Sequence, residues 1–272
     1  MPLKKLQLKA GVNRENTRYT SEGGWYESDK VRFRQGMPEK IGGWQRISTA
    51  TFQGVCRSLH SWVTLVDLTL TSVGTNLKYY LENGGAYYDI TPIRATVTLT
   101  NPFTTANGST TVTVTDAVGG YADGDFVTFS NASASGGLTL NGEFQITFST
   151  GNTYTITAAS AASSTATGGG TVTATYQISS GTALESPLVG WSAGTWGEGT
   201  WGNGGASTES LRIWSQGNFG EDLILGHRGS PLYFWDASEN TPLENPATLL
   251  SAESGASNVP TAQNIILVSD IN

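Results

Sequence analysis

Asp67-Leu68-Thr69-Leu70, followed by Gly74 and Leu77-Lys78-Tyr79-Tyr80, aligns without gaps on Asp222-Leu223-Ile224-Leu225, Gly229 and Leu232-Tyr233-Phe234-Trp235. Each copy reads as a strand, a turn centred on glycine and a second strand rich in aromatics. Around the first copy, residues 55–66 read as one strand, or two broken near His60, followed by strands over 67–71 and 77–81. Asn83-Gly84-Gly85 is a hairpin signal leading into Ala86-Tyr87-Tyr88-Asp89-Ile90. Four antiparallel strands in about forty residues is the size of one propeller blade. Asn264 to Asp270 reads as the start of a third copy. A first strand without its partner would leave an open edge, so the expectation is an N-terminal part of a longer polypeptide.

Between the copies lies a stretch of different composition. Residues 95–176 hold no Lys or Arg and four acids: Asp116, Asp123, Asp125 and Glu143. Thr111-Val112-Thr113-Val114-Thr115, Phe126-Val127-Thr128-Phe129, Phe144-Gln145-Ile146-Thr147-Phe148, Tyr154-Thr155-Ile156-Thr157 and Thr171-Val172-Thr173-Ala174-Thr175 alternate with the period of strands. Glycine-containing turns such as Asn107-Gly108, Asp123-Gly124 and Asn141-Gly142 separate them. Five or six such strands make a small sandwich or barrel, inserted through adjacent entry and exit points. The expected fold class is therefore all-β: a propeller-like platform, incomplete in this sequence, with an inserted small β-sandwich or barrel and an extended N-terminal arm. The expected segments are an arm and docking hairpin (1–48), a first blade segment (49–94), the insert (95–176) and a second blade segment (177–272).

The chain has 272 residues, a net charge of −7 and 34 glycines, and only 14% of its residues are charged. No long stretch carries apolar residues at helical spacing. No apolar run is long enough for a bilayer, so no membrane insertion is expected. Met1 to Gly11 lacks the apolar segment of a secretory signal. Charge is unevenly placed. Residues 1–46 hold ten basic and five acidic residues, a balance of +5; the remainder holds five basic and seventeen acidic, a balance of −12. A basic arm on an acidic body suggests that the arm docks on something acidic while the body repels nucleic acid. Within the arm, Trp25 to Trp44 reads as a hairpin. Val31-Arg32-Phe33-Arg34 alternates apolar and basic, Gly36-Met37-Pro38 supplies a turn, and Lys40-Ile41-Gly42-Gly43-Trp44 begins a second apolar run.

Constellations that carry chemistry are absent from the sequence. With only His60 and His227, a Ser-His-Asp arrangement has no support. His227 reads as part of a surface hairpin, Gly226-His227-Arg228-Gly229, and His60 as a satisfied residue beside Trp62. No phosphate-binding glycine loop is present. A single cysteine, Cys56, and two histidines leave no structural zinc site. Asp123-Gly124-Asp125 does not continue into a calcium loop. The sequence thus assigns no catalytic residue, no metal ligand and no cofactor, and the expectation is a protein that is not an enzyme. The oddest text is the loop at 190–205, where Trp191, Trp196 and Trp201 alternate with glycine. It reads either as a subunit interface, where Trp is enriched, or as a platform for stacking sugar rings.

The segment from Val31 to Trp44, VRFRQGMPEKIGGW, resembles the nozzle proteins (tail hub or packaged-DNA stabilisation proteins) of short-tailed bacteriophages. The Trp/Gly-rich loop resembles a loop of the same family, and the text from Gly124 to Thr157 resembles small β-modules embedded in phage tail proteins. The resemblance covers residues 1–93 and 177–272. It implies a propeller with inserted β-domains, assembled as a homo-oligomeric ring, a hexamer in the family. Such a ring joins the adaptor below the portal, contacts tail fibres and conducts DNA without sequence-specific binding, all within the virion tail. The family's proteins are longer than this chain, and no closing gate is visible in the text. On this reading Trp25, Arg32, Phe33, Arg34, Lys40 and Trp44 form the contact to the adaptor or a neighbouring subunit. The alternatives are a receptor- or glycan-binding tail protein that uses Trp191, Trp196 and Trp201, or a tail-associated depolymerase.

Overall fold

The computed structural model describes residues 9–269 apart from 16, 21–22, 44, 47, 119, 180, 182–210 and 239–242. The chain is all-β, and every strand pairs with its neighbours antiparallel. Contacts divide it into two units, Met1–Thr49 and Ala50–Asn272.

In the first unit, β1 (Val31–Arg34) and β2 (Met37–Lys40) form a two-stranded ribbon. The described part of the arm is not free. Lys9 N donates to Gly23 O at 2.8 Å, Asn13 N donates to Trp25 O at 2.9 Å, and Val12 bridges Trp25 in parallel.

In the second unit, β3 (Cys56–Val63), β4 (Thr69–Thr75), β5 (Tyr79–Asn83) and β6 (Ala86–Asp89) form a four-stranded meander. Period-2 alternation sends Trp62, Leu70, Tyr79 and Leu81 to one face, because Trp62 lies opposite Leu70 and Ser72 opposite Leu81. Tyr80 lies on the other face, beneath the Phe52 ring at 6.1 Å. Gly84 and Gly85 both have positive φ, 58° and 90°, which closes the β5–β6 hairpin as a two-residue turn.

The chain then leaves for an insert of nine strands: β7 (Ile93–Thr100), β8 (Phe103–Thr105), β9 (Thr111–Thr115), β10 (Phe126–Ser130), β11 (Gly142–Gln145), β12 (Phe148–Thr150), β13 (Thr153–Thr157), β14 (Ala166–Gly168) and β15 (Thr171–Gln177). They form two sheets, β11-β10-β15-β7 and β12-β13-β9-β8-β14. Phe103, Val112, Val114, Val127, Phe129, Ile156 and Val172 fill the space between them. The insert is an open sandwich, not a closed barrel. Entry and exit are adjacent because β7 and β15 are paired neighbours, Ile93 opposite Gln177.

A second meander follows: β16 (Trp214–Phe219), β17 (Asp222–His227), β18 (Tyr233–Trp235) and β19 (Thr248–Leu249). It shares one apolar core with the first meander, built from Trp62, Leu70, Tyr79, Leu81, Trp214, Leu223, Leu225 and Trp235. The edge strands β3 and β16 lie side by side.

The architecture repeats, but not residue by residue. Asp222 opens β17, whereas Asp67 has φ 58° and lies in the turn before β4. In the second strand the ungapped match pairs Tyr80 with Trp235, yet Tyr79 is the core residue in the first meander and Trp235 in the second. The turns differ in register: four residues separate the paired Gly74 and Tyr79, seven separate the paired Leu225 and Tyr233, and an odd difference exchanges faces.

The expected third copy is not a strand: residues 264–269 have no strand assignment. This segment crosses the outer face of the second meander. Ile266 N donates to Ser215 Oγ at 2.8 Å, and Val268 lies over Gly217. A glycine there removes the side chain that would hold a crossing chain off the sheet.

Candidate docking site

The ribbon closes through Gln35-Gly36, both at positive φ (51° and 79°), with Arg34 opposite Met37. This is a two-residue turn whose twist matches that of the strands. Sequence placed the turn on Gly36-Met37-Pro38; Met37 and Pro38 instead belong to β2. Proline fits because an edge strand tolerates a missing N–H.

Register then decides the side chains. Arg32 lies opposite Glu39, and its Nε donates to Glu39 Oε2 at 3.0 Å. Arg32, expected at the contact to the adaptor or a neighbouring subunit, thus has an acceptor within the ribbon. Both groups are more than one-third exposed, so this pair contributes under about 1 kcal/mol and can be exchanged at little cost. Arg34 and Lys40 are exposed. Trp25 and Phe33 are half-buried and meet edge to face, with centroids 6.0 Å apart. They stabilise the ribbon as a pair before they anchor anything else. Arg14 and Arg18 converge on Glu27, at 3.3 and 3.7 Å, and on the Tyr26 ring. The ribbon thus brings together Trp25, Arg32, Phe33, Arg34 and Lys40 of the expected set. Trp44 lies outside the described residues, as do Trp191, Trp196 and Trp201.

Further polar contacts lie at two seams of the second unit. One joins the first meander to the sandwich. Lys78 Nζ is buried, donates to Asp89 Oδ2 at 2.5 Å and to Glu143 Oε2, and sits 4.5 Å from the Phe126 ring centroid. Asp89 also accepts from Gln177 Nε2 at 3.0 Å and from Thr91 Oγ1. The other seam lies between the meanders. Trp62 Nε1 donates to Glu221 O at 2.8 Å, Trp214 Nε1 donates to Thr75 O at 2.6 Å, and His60 Nε2 pairs with Asn218 Oδ1 at 3.0 Å.

His227 is not on a surface hairpin. It ends β17, half-buried and edge-on to Trp214 at 5.5 Å. Burial, with the Arg212 charge nearby, lowers it to about 4, so the ring is neutral at pH 7. The Asp123-Gly124-Asp125 carboxylates are separately engaged. Asp123 Oδ1 accepts from Ser149 Oγ at 2.6 Å, while buried Asp125 lies 3.7 Å from Arg94.

Lys78, Glu143 and Arg212 were not singled out from sequence. A usable signal was present: Lys78 and Arg212 are single cations inside apolar runs, Leu77 to Leu81 and Leu211 to Trp214. A cation in such a run is carried into the core, where Lys78 meets two carboxylates.

No family profile and no curated protein matches the chain. Among solved structures it is similar to the phage phi92 endosialidase, at 19% identity over 73% of this chain and 38% of that one, with a TM-score of 0.29. The chain spans well under half of that protein, and a superposition so loose carries neither fold nor activity across.

Proposed function

We propose that the chain is a structural, non-catalytic subunit of a phage tail, of the nozzle type, whose N-terminal ribbon docks on an adaptor protein or on a neighbouring copy. The observation that carries this reading is the ribbon itself. It belongs to a separate unit, it presents Arg34 and Lys40 to solvent, and its Arg32–Glu39 pair is exposed enough to open for an acidic partner. The charge division supports the same role: a basic arm for docking and an acidic body that lets DNA pass without holding it. Two blade-sized meanders that share one core suit a propeller-based ring. Membrane anchoring has no support from helices, since no described helix is long and apolar enough to cross a bilayer.

The test is assembly in a phage that carries Arg32→Glu and Arg34→Glu together. The expected outcome is a soluble, folded chain that no longer joins the tail, read by circular dichroism and by its absence from purified virions. Normal incorporation overturns the docking role. An averaged virion image should place the wild-type chain on the tail axis; density confined to peripheral appendages overturns the nozzle reading.

A further inference from the structure

The turn between β3 and β4 holds two apolar side chains in water: Leu65 is 90% and Val66 80% exposed. The turn is tightly bonded. Thr64 N donates to Leu68 O at 3.0 Å, Asp67 N donates to Thr64 O at 3.0 Å, and Leu68 N donates to Thr64 Oγ1 at 3.2 Å. Leu65 N also donates to Glu221 Oε1 at 2.7 Å, which ties this turn to the one between β16 and β17, where Phe219 is exposed. Single exposed apolar residues are ordinary. Three of them on two turns fixed to each other mark a contact surface.

Charge is sorted along the strands of the body. The five basic residues after position 46 are Arg57, Lys78, Arg94, Arg212 and Arg228. Arg57 stands at the start of β3, and its Nη1 donates to Arg212 O at 3.2 Å; Arg228 N donates to Ile213 O at 2.9 Å. Lys78 O accepts from Thr75 N, and Thr75 lies opposite Cys56. Arg94 follows closely on Thr91, whose Oγ1 accepts from Tyr79 N. All five cations thus gather towards the end where β3 and β16 begin. The apolar turns lie at the end where these strands finish. Asp67, Glu221 and Asp222 stand there, and Asp236 joins them because Trp235 lies opposite Leu223.

We propose that this apolar, acid-rimmed end of the body is the surface on which the ribbon of a second copy docks. The inference rests on the docking role proposed for the ribbon and names its acceptor. The ribbon carries the complementary chemistry. Exposed Arg34 lies opposite Met37, and exposed Lys40 precedes Ile41; both apolar side chains are themselves exposed. Met37 and Ile41 cover Leu65, Val66 and Phe219, while Arg34 and Lys40 face the acids. Burial of the apolar side chains supplies affinity, and the charges set orientation and on-rate. The two surfaces differ, so the contact is head-to-tail and each copy both offers a ribbon and receives one.

Sedimentation of the full chain tests this with two variants. Arg34→Glu with Lys40→Glu alters the ribbon; Leu65→Lys with Val66→Lys alters the receiving turn at side chains that already face water, and circular dichroism checks both folds. The wild type should grow in size with concentration and shrink with added salt. Each variant alone should associate at least about tenfold more weakly. Mixed in equal amounts, the two should form a dimer and nothing larger, because each supplies the half that the other lacks. A wild type that stays monomeric at every concentration and salt, or either variant assembling like the wild type, overturns the inference. The docking role of the ribbon survives such a result if Arg32→Glu with Arg34→Glu still keeps the chain out of the tail, which puts the acceptor on the adaptor or on another surface.

Discussion

Lys78 in the first meander and Glu143 in the sandwich, 65 residues apart in sequence, form an ion pair that Asp89 completes on the other side of the ammonium. The lysine is 2% exposed and each carboxylate is a little over one-quarter exposed. The pair therefore fixes the sandwich to the meander and not merely to solvent. Removing one partner of a buried pair costs about 3–5 kcal/mol, and partial exposure of the acids brings the expectation for Lys78→Met to about 2–3 kcal/mol. Glu143→Gln alone should cost less, because Asp89 remains. In Lys78→Met with Glu143→Gln, the loss should fall short of the sum by about 1 kcal/mol or more. Urea unfolding of the four proteins measures this coupling, and strict additivity would mean the contact contributes nothing.

Gly74 sits in β4 where a side chain has no room. A Cβ built there comes within 2.6 Å of Trp214 Cδ1 and 2.3 Å of Ser58 Oγ. The indole is held in place by its hydrogen bond to Thr75 O. Gly74→Ala must push either the indole or the sheet, at a cost of about 1–3 kcal/mol. A red-shifted Trp emission in the folded state and a lower urea midpoint are the expected results; an unchanged spectrum would show that Trp214 yields freely.

How much of this was legible from sequence depended on distance along the chain. The insert was readable because Thr111–Thr115 and Thr153–Thr157 each alternate locally, whatever they pair with. The three-residue strands β8 and β14 were not: they are too short to show a period, and β14 pairs only with Phe103 to Thr105, some sixty residues back. The two meanders were legible as a repeat, yet the ungapped match crossed faces at Tyr80 and Trp235, because connections of unequal length shift register without changing the pattern. In the docking ribbon, the Arg32–Glu39 pair follows from the turn position alone. It was missed because Gln35 gives no sign of its positive φ, which is uncommon for a residue with a side chain.

Tyr176 donates to Asp116 Oδ2 at 2.6 Å and shares a 2.8 Å hydrogen bond with Tyr154, all within the sandwich core. Burial pushes both phenols well above the ordinary range for tyrosine. Tyr176→Phe removes a charge-assisted bond to a buried carboxylate and should cost about 1.5–3 kcal/mol. Tyr154→Phe, which leaves the bond to Asp116 intact, should cost about 1 kcal/mol. Thermal unfolding ranks the two, and a reversed order would place the weight of the network on Tyr154.

His227 gives the fold a predictable acid sensitivity. Its folded value is about 4 against an ordinary 6.5, with burial as the first cause and Arg212 as the second. Below pH 6.5 the unfolded chain takes up a proton that the folded ring refuses, so the unfolded state is favoured as pH falls. The loss grows until about pH 4, where the folded ring protonates as well. Allowing for partial exposure, the His227 contribution between pH 7 and pH 4.5 is on the order of 2 kcal/mol. Carboxylates titrate in the same range, so the difference between wild type and His227→Gln isolates the histidine. The gap in unfolding free energy should move steadily in favour of the variant from pH 6.5 downward. A gap independent of pH would mean that the ring is protonated as readily in the fold as outside it, and that the Arg212 charge does not reach it.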